Sequence, residues 1–564
     1  MLSPSVSDVL FGPRFLLNEA LLLAESLIGA VGGWLDPAAR SASQGSLLEW
    51  TVVALYLAVM VVLSAYGLHR YQLVCLYYRN RHNAAGDAAE RLERLPAVTV
   101  QLPIYNEQFV AEQLLEAVCR LEYPRELFQI QVLDDSTDET RAVARAASER
   151  YAALGHPVEY VHRTHRHGYK AGALQAGLDT ASGELIAIFD ADFQPQPDFL
   201  HRTVHYFSDP HVGMVQARWT FRNRNQSLLT RVQAILLDGH FIFEHGGRAR
   251  SGRFFNFNGT AGVLRRSMIE DAGGWQHDTL TEDSDLSYRA QMKGWKFVYA
   301  QHVEVPSELP ADLTAFQIQQ ARWAKGLIQT ARKILPLLLA SPLPAKVKLE
   351  AFFHLTANLS YPLIVLLSIL LLPATIVRSY HGHAGFLLID IALFLATFSS
   401  LSTFYLLAQR ELSAAGWIRG MFLIPALVTT GIGLTITNTR AVLEGLCGVP
   451  SPFVRTAKYT TDHGVARTAR LRYRSSSGLL PLANFAAGTY FGCCGVYLAR
   501  AGHWTTLPFI ALFAAGFYST AGMLLLQACE FRWNAGRAAV LKPSEAPADE
   551  LSRTSPRRVV GSAG

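Results

Sequence analysis

The sequence predicts an α/β domain with a mostly parallel sheet and flanking helices, inserted between the transmembrane helices of a multi-pass membrane protein. Of the 564 residues, 50% are hydrophobic and only 17% are charged, whereas soluble proteins carry about 25% charged residues. The deficit is uneven: residues 80–349 have ordinary polarity, and long apolar runs lie on either side. The net charge of +6, without a basic stripe interleaved with aromatic residues, argues against a nucleic-acid partner.

The first predicted transmembrane helix covers residues 50–72, because about 20 mostly apolar residues span a bilayer. Basic residues follow it directly, and positive charge marks the cytoplasmic side, so the helix is predicted to run from outside to inside. The N-terminal segment, 1–49, has an apolar run at 15–35 that contains Asn18, Glu19 and Glu25. Since charges within the membrane are costly, this run is predicted to be an interfacial helix.

Four further transmembrane helices are predicted after the α/β domain, two within 353–407 and two within 477–528. Another apolar run, 418–436, is shorter and rich in Thr and Gly, and the basic stretch 440–474 would lie outside if it spanned the membrane. The positive-inside rule therefore favours an interfacial helix at the start of segment 418–475. The basic, Pro- and Ser-rich tail, 530–564, is predicted to be disordered and cytoplasmic.

Two predicted strands of the α/β domain end in acidic turns. The strand that begins at 128 runs into Asp134 and Asp135, and the strand 184–189 runs into Asp190 and Asp192. Ligands bind at the carboxyl ends of parallel strands, so both turns are predicted to converge on one site. Asp190 and Asp192 suit Mg²⁺ or Mn²⁺, and the other pair suits a nucleoside. Taken alone, each turn could equally cap the following helix.

Three other motifs of the α/β domain also have a plain structural explanation beside a functional one. Glu282 and Asp283 follow Thr281, so they could cap a helix or supply a general base. Gln319, Arg322 and Trp323 lie on a predicted helix that would read, by itself, as amphipathic. The basic turn 162–170, which includes Arg163 and Arg166 and ends at Lys170, suits a diphosphate or a solvated surface.

Taken together, the segments PIYNE, DDS, YKAGAL, DAD, TED and QQARW occur in the order found in one family. The chain resembles the family 2 glycosyltransferases with a GT-A fold, specifically the membrane-embedded, cellulose-synthase-like polysaccharide synthases. The segments FNGTAGV (257–263), GWKFVY (294–299) and SELP (307–310) resemble the mannan and glucomannan synthases most closely, with related glucan synthases sharing much of this text. The dense resemblance covers residues 95–335.

A second region, 445–459, is similar to the FxVTxK gating loop of cellulose synthases. Phe453, Thr456 and Lys458 match that motif, whereas Arg455 stands where it has Val. The resemblance implies that this loop is cytoplasmic and covers the bound nucleotide. Residues 530–564 are too few for the regulatory C-terminal domain of bacterial cellulose synthases, so that regulation is not expected.

The resemblance implies the roles of the remaining residues. Asp283, with Glu282, would act as general base in an inverting transfer, and Mg²⁺ or Mn²⁺ would be held by Asp190 and Asp192. Nucleotide contacts are implied for six residues: Pro103, Tyr105, Glu107, Asp134, Asp135 and Lys170. Diphosphate contacts are implied for two residues: Gln319 and Arg322. Acceptor contacts are implied for four residues: Trp323, Phe257, Asn258 and Gly259.

The implied partners are a nucleotide-sugar donor (GDP-mannose, GDP-glucose or UDP-glucose), a polysaccharide or lipid acceptor, and membrane lipids. The implied location is the inner (plasma) membrane, with the catalytic domain in the cytoplasm. The leading hypothesis is a synthase that extends and exports a β-linked hexose polymer. The alternatives are a non-processive transferase that adds one sugar to a membrane lipid, and a transporter or scaffold with a vestigial sugar domain.

Overall fold

The computed structural model describes residues 46–86, 91–380, 387–413, 416–456 and 478–540. Three predictions fall wholly or partly outside these ranges: the interfacial helix at 15–35, Lys458 in the predicted gating loop, and the disordered tail at 530–564. For the first part of that tail the prediction is wrong, because residues 530–540 continue a helix. Within the described ranges the chain forms seven β-strands and sixteen α-helices.

The seven strands form one sheet in the order β3-β2-β1-β4-β6-β5-β7. Neighbouring strands are parallel except around β6, which is antiparallel to both β4 and β5. The prediction of a mostly parallel sheet is therefore confirmed. The strands are β1 (Val98–Ile104), β2 (Phe128–Asp134), β3 (Val158–His162), β4 (Leu185–Ile188), β5 (Val212–Phe221), β6 (Gly262–Arg265) and β7 (Lys296–Ser307).

The central strands are apolar because helices cover both faces of the sheet. All four residues of β4 are buried, and the buried polar Gln101 of β1 donates to Gln131 of β2 (3.1 Å). One face packs against α2 (Ala111–Cys119) and α3 (Thr140–Ala153). The other packs against α4 (Tyr169–Thr180), α7 (Arg266–Asp271) and α8 (Glu282–Met292).

Two helical stretches connect the sheet to the rest of the chain. The first consists of α5 (Leu228–Gly239), a π-helix (His240–His245) and α6 (Gly246–Arg250). The second consists of α9 (Leu313–Ala340), which follows β7, and α10 (Ala345–Thr356). The remaining helices are α1 (Leu47–Arg79), α11 (Ser360–Tyr380), α12 (Leu387–Leu412), α13 (Gly416–Gly433), α14 (Thr435–Cys447), α15 (Leu480–Arg500) and α16 (Leu507–Val540).

Six of the described helical stretches are long and apolar enough to cross a membrane. They are Leu47–Arg79, Ala345–Arg378, Ile389–Leu412, Gly416–Gly433, Leu480–Arg500 and Leu507–Cys529. Five coincide with predicted spans. The sixth, α13, is the run predicted to lie on the membrane surface, and it meets the criterion with 18 residues and a mean hydropathy of 1.2. Its interfacial placement stays a prediction, because length and composition alone do not distinguish the two arrangements.

Glycines let the α/β domain approach the apolar helices closely. A Cβ atom at Gly247 in α6 would lie 2.9 Å from the carbonyl oxygen of Leu73 in α1. A Cβ atom at Gly239, at the end of α5, would lie 2.7 Å from the Phe404 ring in α12. Because neither position has room for a side chain, α6 packs directly on the α1 backbone, and the end of α5 packs directly on an aromatic ring of α12.

Candidate active site

A cleft opens at the carboxyl ends of β1, β2 and β4, the edge where the sequence predicts a site. Sixteen of the nineteen predicted site residues line it. They are Pro103, Tyr105, Glu107, Asp135, Lys170, Asp190, Asp192, Asn258, Gly259, Glu282, Asp283, Gln319, Arg322, Trp323, Phe453 and Thr456. Residues as far apart in the chain as Pro103 and Thr456 therefore share one cavity.

Two of the other three predicted residues lie beneath the cleft wall, and Lys458 lies outside the described residues. Asp134 is fully buried, and its carboxylate accepts hydrogen bonds from the Ser136 backbone N–H (2.9 Å) and the Tyr160 hydroxyl (2.6 Å). Phe257 is buried in the apolar core beneath the sheet. Neither placement supports the ligand contact that the resemblance implies, because both side chains are used inside the protein.

Guanidinium and aromatic groups build one end of the cleft. The Arg166 guanidinium lies 3.4 Å from the centre of the Tyr105 ring and 5.5 Å from that of Phe453. Arg163 donates two hydrogen bonds to the Asp135 carboxylate (2.7 and 2.6 Å), a geometry that fixes this carboxylate at the cleft wall. The sequence predicts both arginines only as part of a basic turn, since nothing in it identifies partners so far away in the chain.

Lys170 ties the turn after β4 to the loop before β6. Its Nζ atom lies 2.5 Å from Oδ1 of Asp190 and 2.8 Å from the carbonyl oxygen of Gly259. The backbone N–H of Asp190 also donates to Oγ1 of Thr260 (2.9 Å). A Cβ atom at Gly259 would lie 2.9 Å from Oδ2 of Asp283. The ammonium group, the acidic turn and the candidate base therefore meet around one glycine.

Asp190 and Asp192 are the candidate ligands for a divalent cation. Both line the cleft, and Asp192 is buried. Across the described part of the chain, no three His, Cys, Asp or Glu side chains are grouped so that they could hold a metal ion by themselves. Two carboxylates suit Mg²⁺ or Mn²⁺ when substrate phosphates and water complete the coordination. The residues present therefore fit a cation shared with a substrate.

Asp283 and Glu282 begin α8 and line the cleft. The backbone N–H of Ser284 donates to Oδ1 of Asp283 (2.7 Å). Burial, reinforced by the charge of Glu282, raises the pKa of the Asp283 carboxyl to about 7, although Lys170 and Arg322 act in the opposite direction. Burial also raises the pKa of Glu282. A carboxyl group with a pKa near neutrality is suited to act as a general base.

Helix α9 brings Gln319, Arg322 and Trp323 to the same cleft. It approaches α8 closely because a Cβ atom at Gly326 would lie only 2.6 Å from Cγ2 of Thr281. The buried Nε atom of Arg322 has no hydrogen-bond partner among the residues that the structure describes. A buried guanidinium donor without a protein partner suits an anionic ligand.

Segment 451–456 lies against the turn that follows β1. The Phe453 ring stacks on Tyr169 with a centroid distance of 5.9 Å. Nε of Arg455 lies 3.4 Å from the Glu107 carboxylate, and its guanidinium donates to the carbonyl oxygen of Asn106. Arg455, which stands where the gating-loop motif has Val, thus makes a charged contact with the turn that follows β1. The sequence shows the departure but cannot identify its partner.

Backbone strain concentrates around the cleft. Asn106, Tyr169 and Ala261 are the non-glycine residues with positive φ in the described ranges, with values of 54°, 51° and 54°. Asn106 and Tyr169 are each adjacent in sequence to a residue that lines the cleft, and Ala261 lies two positions after one. Such conformations cost about 1–2 kcal/mol each, and they cluster at functional sites because the surrounding structure must enforce them.

Comparisons with known proteins agree with this geometry. Residues 96–326 match the protein family described as Glycosyltransferase like family 2. Glucomannan 4-beta-mannosyltransferase 7 from Arabidopsis thaliana is 34% identical over 417 residues, which cover 71% of this chain and 72% of that protein. Probable glucomannan 4-beta-mannosyltransferase 7 from Oryza sativa is 46% identical over 256 residues. This match covers only 44% of the rice protein, so the chain spans slightly under half of its length.

Among solved structures, a mannosyltransferase from Pyrobaculum calidifontis, solved with GDP-Man and Mn²⁺, aligns with 23% identity and a TM-score of 0.47. The alignment covers 70% of this chain and 100% of that chain. The family assignment depends on the sequence relatives and on the mixed seven-stranded sheet. The chain therefore belongs to the family 2 glycosyltransferases, has a GT-A-like domain among apolar helices, and groups with the cellulose-synthase-like mannan and glucomannan synthases.

Proposed function

We propose that this chain is an inverting, metal-dependent glycosyltransferase that transfers a hexose from a nucleotide-diphospho-sugar to a growing β-linked polysaccharide. The observation that supports this best is the meeting of Asp283, Lys170 and Asp190 around Gly259. Sugar transfer needs a base for the acceptor hydroxyl and positive charge for the departing diphosphate. This part of the cleft offers both within a few ångströms.

The donor nucleoside would bind at the end of the cleft formed by Tyr105, Glu107 and Asp135. Pro103, the second-last residue of strand β1, also lines the cleft. The Asp135 carboxylate, held by Arg163, offers a fixed acceptor for ribose or base hydroxyl and N–H groups. The Tyr105 ring, with Arg166 over it, offers a flat surface on which a base can stack.

The donor diphosphate would lie between Lys170 and Arg322, with Gln319 as a further donor. The buried Nε–H of Arg322, which has no partner among the described residues, supports this assignment. Asp190 and Asp192 would hold Mg²⁺ or Mn²⁺ together with diphosphate oxygens. The bound cation would supply positive charge that stabilises the leaving group.

Asp283 would take the proton from the acceptor hydroxyl while that oxygen attacks the anomeric carbon of the donor sugar. The bond between this carbon and the diphosphate oxygen breaks in the same step, and the electron pair leaves with the nucleoside diphosphate. Displacement from the opposite side inverts the anomeric configuration. Lys170 and Arg322 would stabilise the charge that develops on the leaving group.

The acceptor sugar would lie against Trp323 and Asn258, beside the base. Aromatic rings pack well against the apolar faces of sugars. Phe453 and Thr456, with Lys458, would cover the nucleotide and exclude water from the reaction.

The mannosyltransferase names of the relatives favour GDP-mannose as donor, with GDP-glucose and UDP-glucose as alternatives. The six apolar helices and the basic residues after α1 support a plasma-membrane protein with a cytoplasmic catalytic domain. Export of the product through these helices is part of the proposal.

The proposal is tested with purified protein in detergent, incubated separately with GDP-mannose, GDP-glucose, UDP-glucose and UDP-GlcNAc in the presence of Mg²⁺ or Mn²⁺. We expect a β-linked polymer from a GDP-sugar, identified by linkage analysis. A single-sugar glycolipid as product would favour the non-processive alternative. Absence of both transfer and hydrolysis with every donor would overturn the assignment as a transferase.

A further inference from the structure

A network of charged and polar side chains connects the acceptor side of the cleft to the first apolar helix. Its members come from α1, the π-helix, α6, α8 and α10, and most of them are buried. None of them has a role in the proposed reaction. This buried network consists of His69, His240, Glu244, His245, Arg248, Tyr288, Glu350 and His354.

The inner end of the buried network holds the side chain of Asn258. Nε2 of His240 lies 3.3 Å from Oδ1 of Asn258, and Nδ1 of His240 lies 2.8 Å from the Glu244 carboxylate. The carboxylate and the amide oxygen both only accept, so His240 makes both hydrogen bonds with a proton on each ring nitrogen. The Asn258 amide nitrogen lies 3.1 Å from Nε2 of His245, a ring nitrogen that also lies 3.0 Å from the carbonyl oxygen of Asn256, and the Asn256 side chain donates to Oδ1 of Asn258 (3.0 Å). Oδ1 of Asn258 is therefore held by neighbouring donors, and its amide nitrogen contacts the His245 ring.

The outer end of the buried network reaches α1. Arg248 is 2% exposed, lies 3.7 Å from the Glu244 carboxylate and donates to Glu350 of α10 (3.0 Å). His69 of α1 lies 3.1 Å from the same Glu350 carboxylate. Although burial opposes ionisation, the hydrogen bond from His240 and the charge of Arg248 hold the pKa of the Glu244 carboxyl well below its usual range. An unbroken series of contacts thus runs from Asn258 to α1.

A second branch of the buried network reaches the helix that carries the candidate base. The Tyr288 hydroxyl lies 2.8 Å from Nδ1 of His354, so α8 is bound to α10. The preceding residue in α8 is Ser287, whose hydroxyl donates to the carbonyl oxygen of Asp283 (2.6 Å) and accepts from the backbone N–H of Phe257 (2.9 Å). The start of α8 and the loop that carries Asn258 are therefore held by the same set of helices.

Stability alone does not explain such a network. A buried ion network pays a large desolvation cost, and well-packed apolar residues in its place are often as stable or more stable. His240, Glu244 and His245 also lie on a π-helix, a rare conformation that is frequent at functional sites. The arrangement is expected where side-chain position matters more than stability.

We infer that the buried network positions the acceptor: His240 fixes the Asn258 amide beside the candidate base, and Glu244, Arg248, Glu350 and His69 tie that subsite to α1. His240 is a positioning residue and does not touch the reacting atoms. The inference rests on the proposed function of the cleft. By positioning the acceptor, the buried network favours attack on the donor by a sugar hydroxyl over attack by water.

The test compares His240→Gln with His205→Gln, a control at a half-buried histidine that accepts a hydrogen bond from the Leu92 backbone N–H and does not line the cleft. Transfer to acceptor and hydrolysis of the donor sugar are measured in parallel. For His240→Gln we expect transfer to fall at least about tenfold, the hydrolysed share to rise several-fold, and the donor KM to stay within about twofold. The control should change none of these.

The connection to α1 is tested with His69→Gln, which should shift the partition in the same direction. Its effect should not add to that of His240→Gln if both act through one connected network. Glu244→Gln keeps the side-chain shape, so it serves as the second variant should His240→Gln not fold. An unchanged partition in folded His240→Gln or Glu244→Gln overturns the positioning role. An unchanged partition in His69→Gln, or additive effects, overturns the connection to α1.

These outcomes are separable from failure of the proposed function. Wild-type protein that neither transfers nor hydrolyses any sugar nucleotide overturns the function itself. Suppose instead that the wild-type protein transfers sugar normally and that His240→Gln loses transfer and hydrolysis equally. This result overturns only the role of the buried network, because a general structural defect affects both reactions alike.

Discussion

Gly259 and Asp283 occupy interdependent positions: a Cβ atom at residue 259 would lie 2.9 Å from Oδ2 of Asp283 and 3.4 Å from Nζ of Lys170. Gly259 also has a φ of +78°, a conformation that side-chain-bearing residues rarely adopt. The space used by the candidate base therefore exists only because residue 259 has no side chain.

Gly259→Ala should reduce transfer by about a hundredfold while leaving donor affinity within a few-fold, because the methyl group displaces Asp283 by a fraction of an ångström. The matched control is Gly252→Ala: Gly252 has a φ of +65° and open space around the added Cβ. Steady-state kinetics and nucleotide binding of both variants check the prediction. If both variants lose the same amount of transfer activity, backbone strain alone accounts for the effect.

Asp283→Asn should abolish transfer, by about 10³-fold or more, and leave nucleoside diphosphate binding largely intact, because Asn is nearly isosteric and cannot accept the proton. Isothermal titration with the nucleoside diphosphate and product analysis measure the two effects. Asp278→Asn, at an exposed carboxylate paired with Lys333, controls for loss of negative charge nearby. Turnover retained in Asp283→Asn would remove this residue as the base.

The pH dependence follows from the direction of the Asp283 shift. Burial and the Glu282 charge raise its pKa to about 7, so the carboxyl is protonated and inactive as a base below that pH. We expect kcat/KM to rise with pH and to level off above about pH 7. Glu282→Gln removes a like charge, so its acid limb should move to lower pH. Initial rates over the pH range measure both profiles; identical acid limbs would contradict the assignment.

The location of the site was predictable from sequence because acidic turns at the ends of parallel strands meet at one edge. Whether a given side chain points into the core or into the cleft was less predictable. Asp134 and Asp135 look alike in the sequence, but Asp134 ends β2 and turns inward to Tyr160, whereas Asp135 reaches the cleft. Phe257 follows the same pattern, since its apolar ring joins the core while Asn258 lines the cleft. Such differences depend on strand register and on partners remote in the chain.

Removal of the divalent cation should suppress both transfer and nucleoside diphosphate binding. Asp190 and Asp192 leave coordination positions that diphosphate oxygens and water would fill, so the cation should bind more tightly together with the diphosphate. Excess chelator should lower activity by at least about a hundredfold, and added Mn²⁺ or Mg²⁺ should restore it. Asp192→Asn should show the same loss without rescue, whereas Asp198→Asn, at an exposed carboxylate near Arg202, should behave as wild type. Full activity in chelator would contradict the metal assignment.

Arg455→Val replaces the charged contact of segment 451–456 with the residue found in the gating-loop motif. Arg455 contacts the Glu107 carboxylate and the Asn106 carbonyl, and the side chains of both Arg455 and Glu107 are nearly buried. Loss of this ion pair together with the hydrogen bond to the Asn106 carbonyl costs about 1–2 kcal/mol. The donor KM should therefore rise roughly five- to thirtyfold, with kcat changed much less.

Hydrogen exchange supplies a second readout for Arg455→Val, since amides of 451–456 should exchange faster when the segment is no longer held against the first turn. Arg455→Lys, which keeps the charge but not the planar guanidinium, should lie between wild type and Arg455→Val. Arg440→Ala, at an exposed arginine paired with Glu444 in α14, is the control for loss of positive charge. An unchanged donor KM together with unchanged exchange would show that this contact does not hold segment 451–456 over the nucleotide end of the cleft.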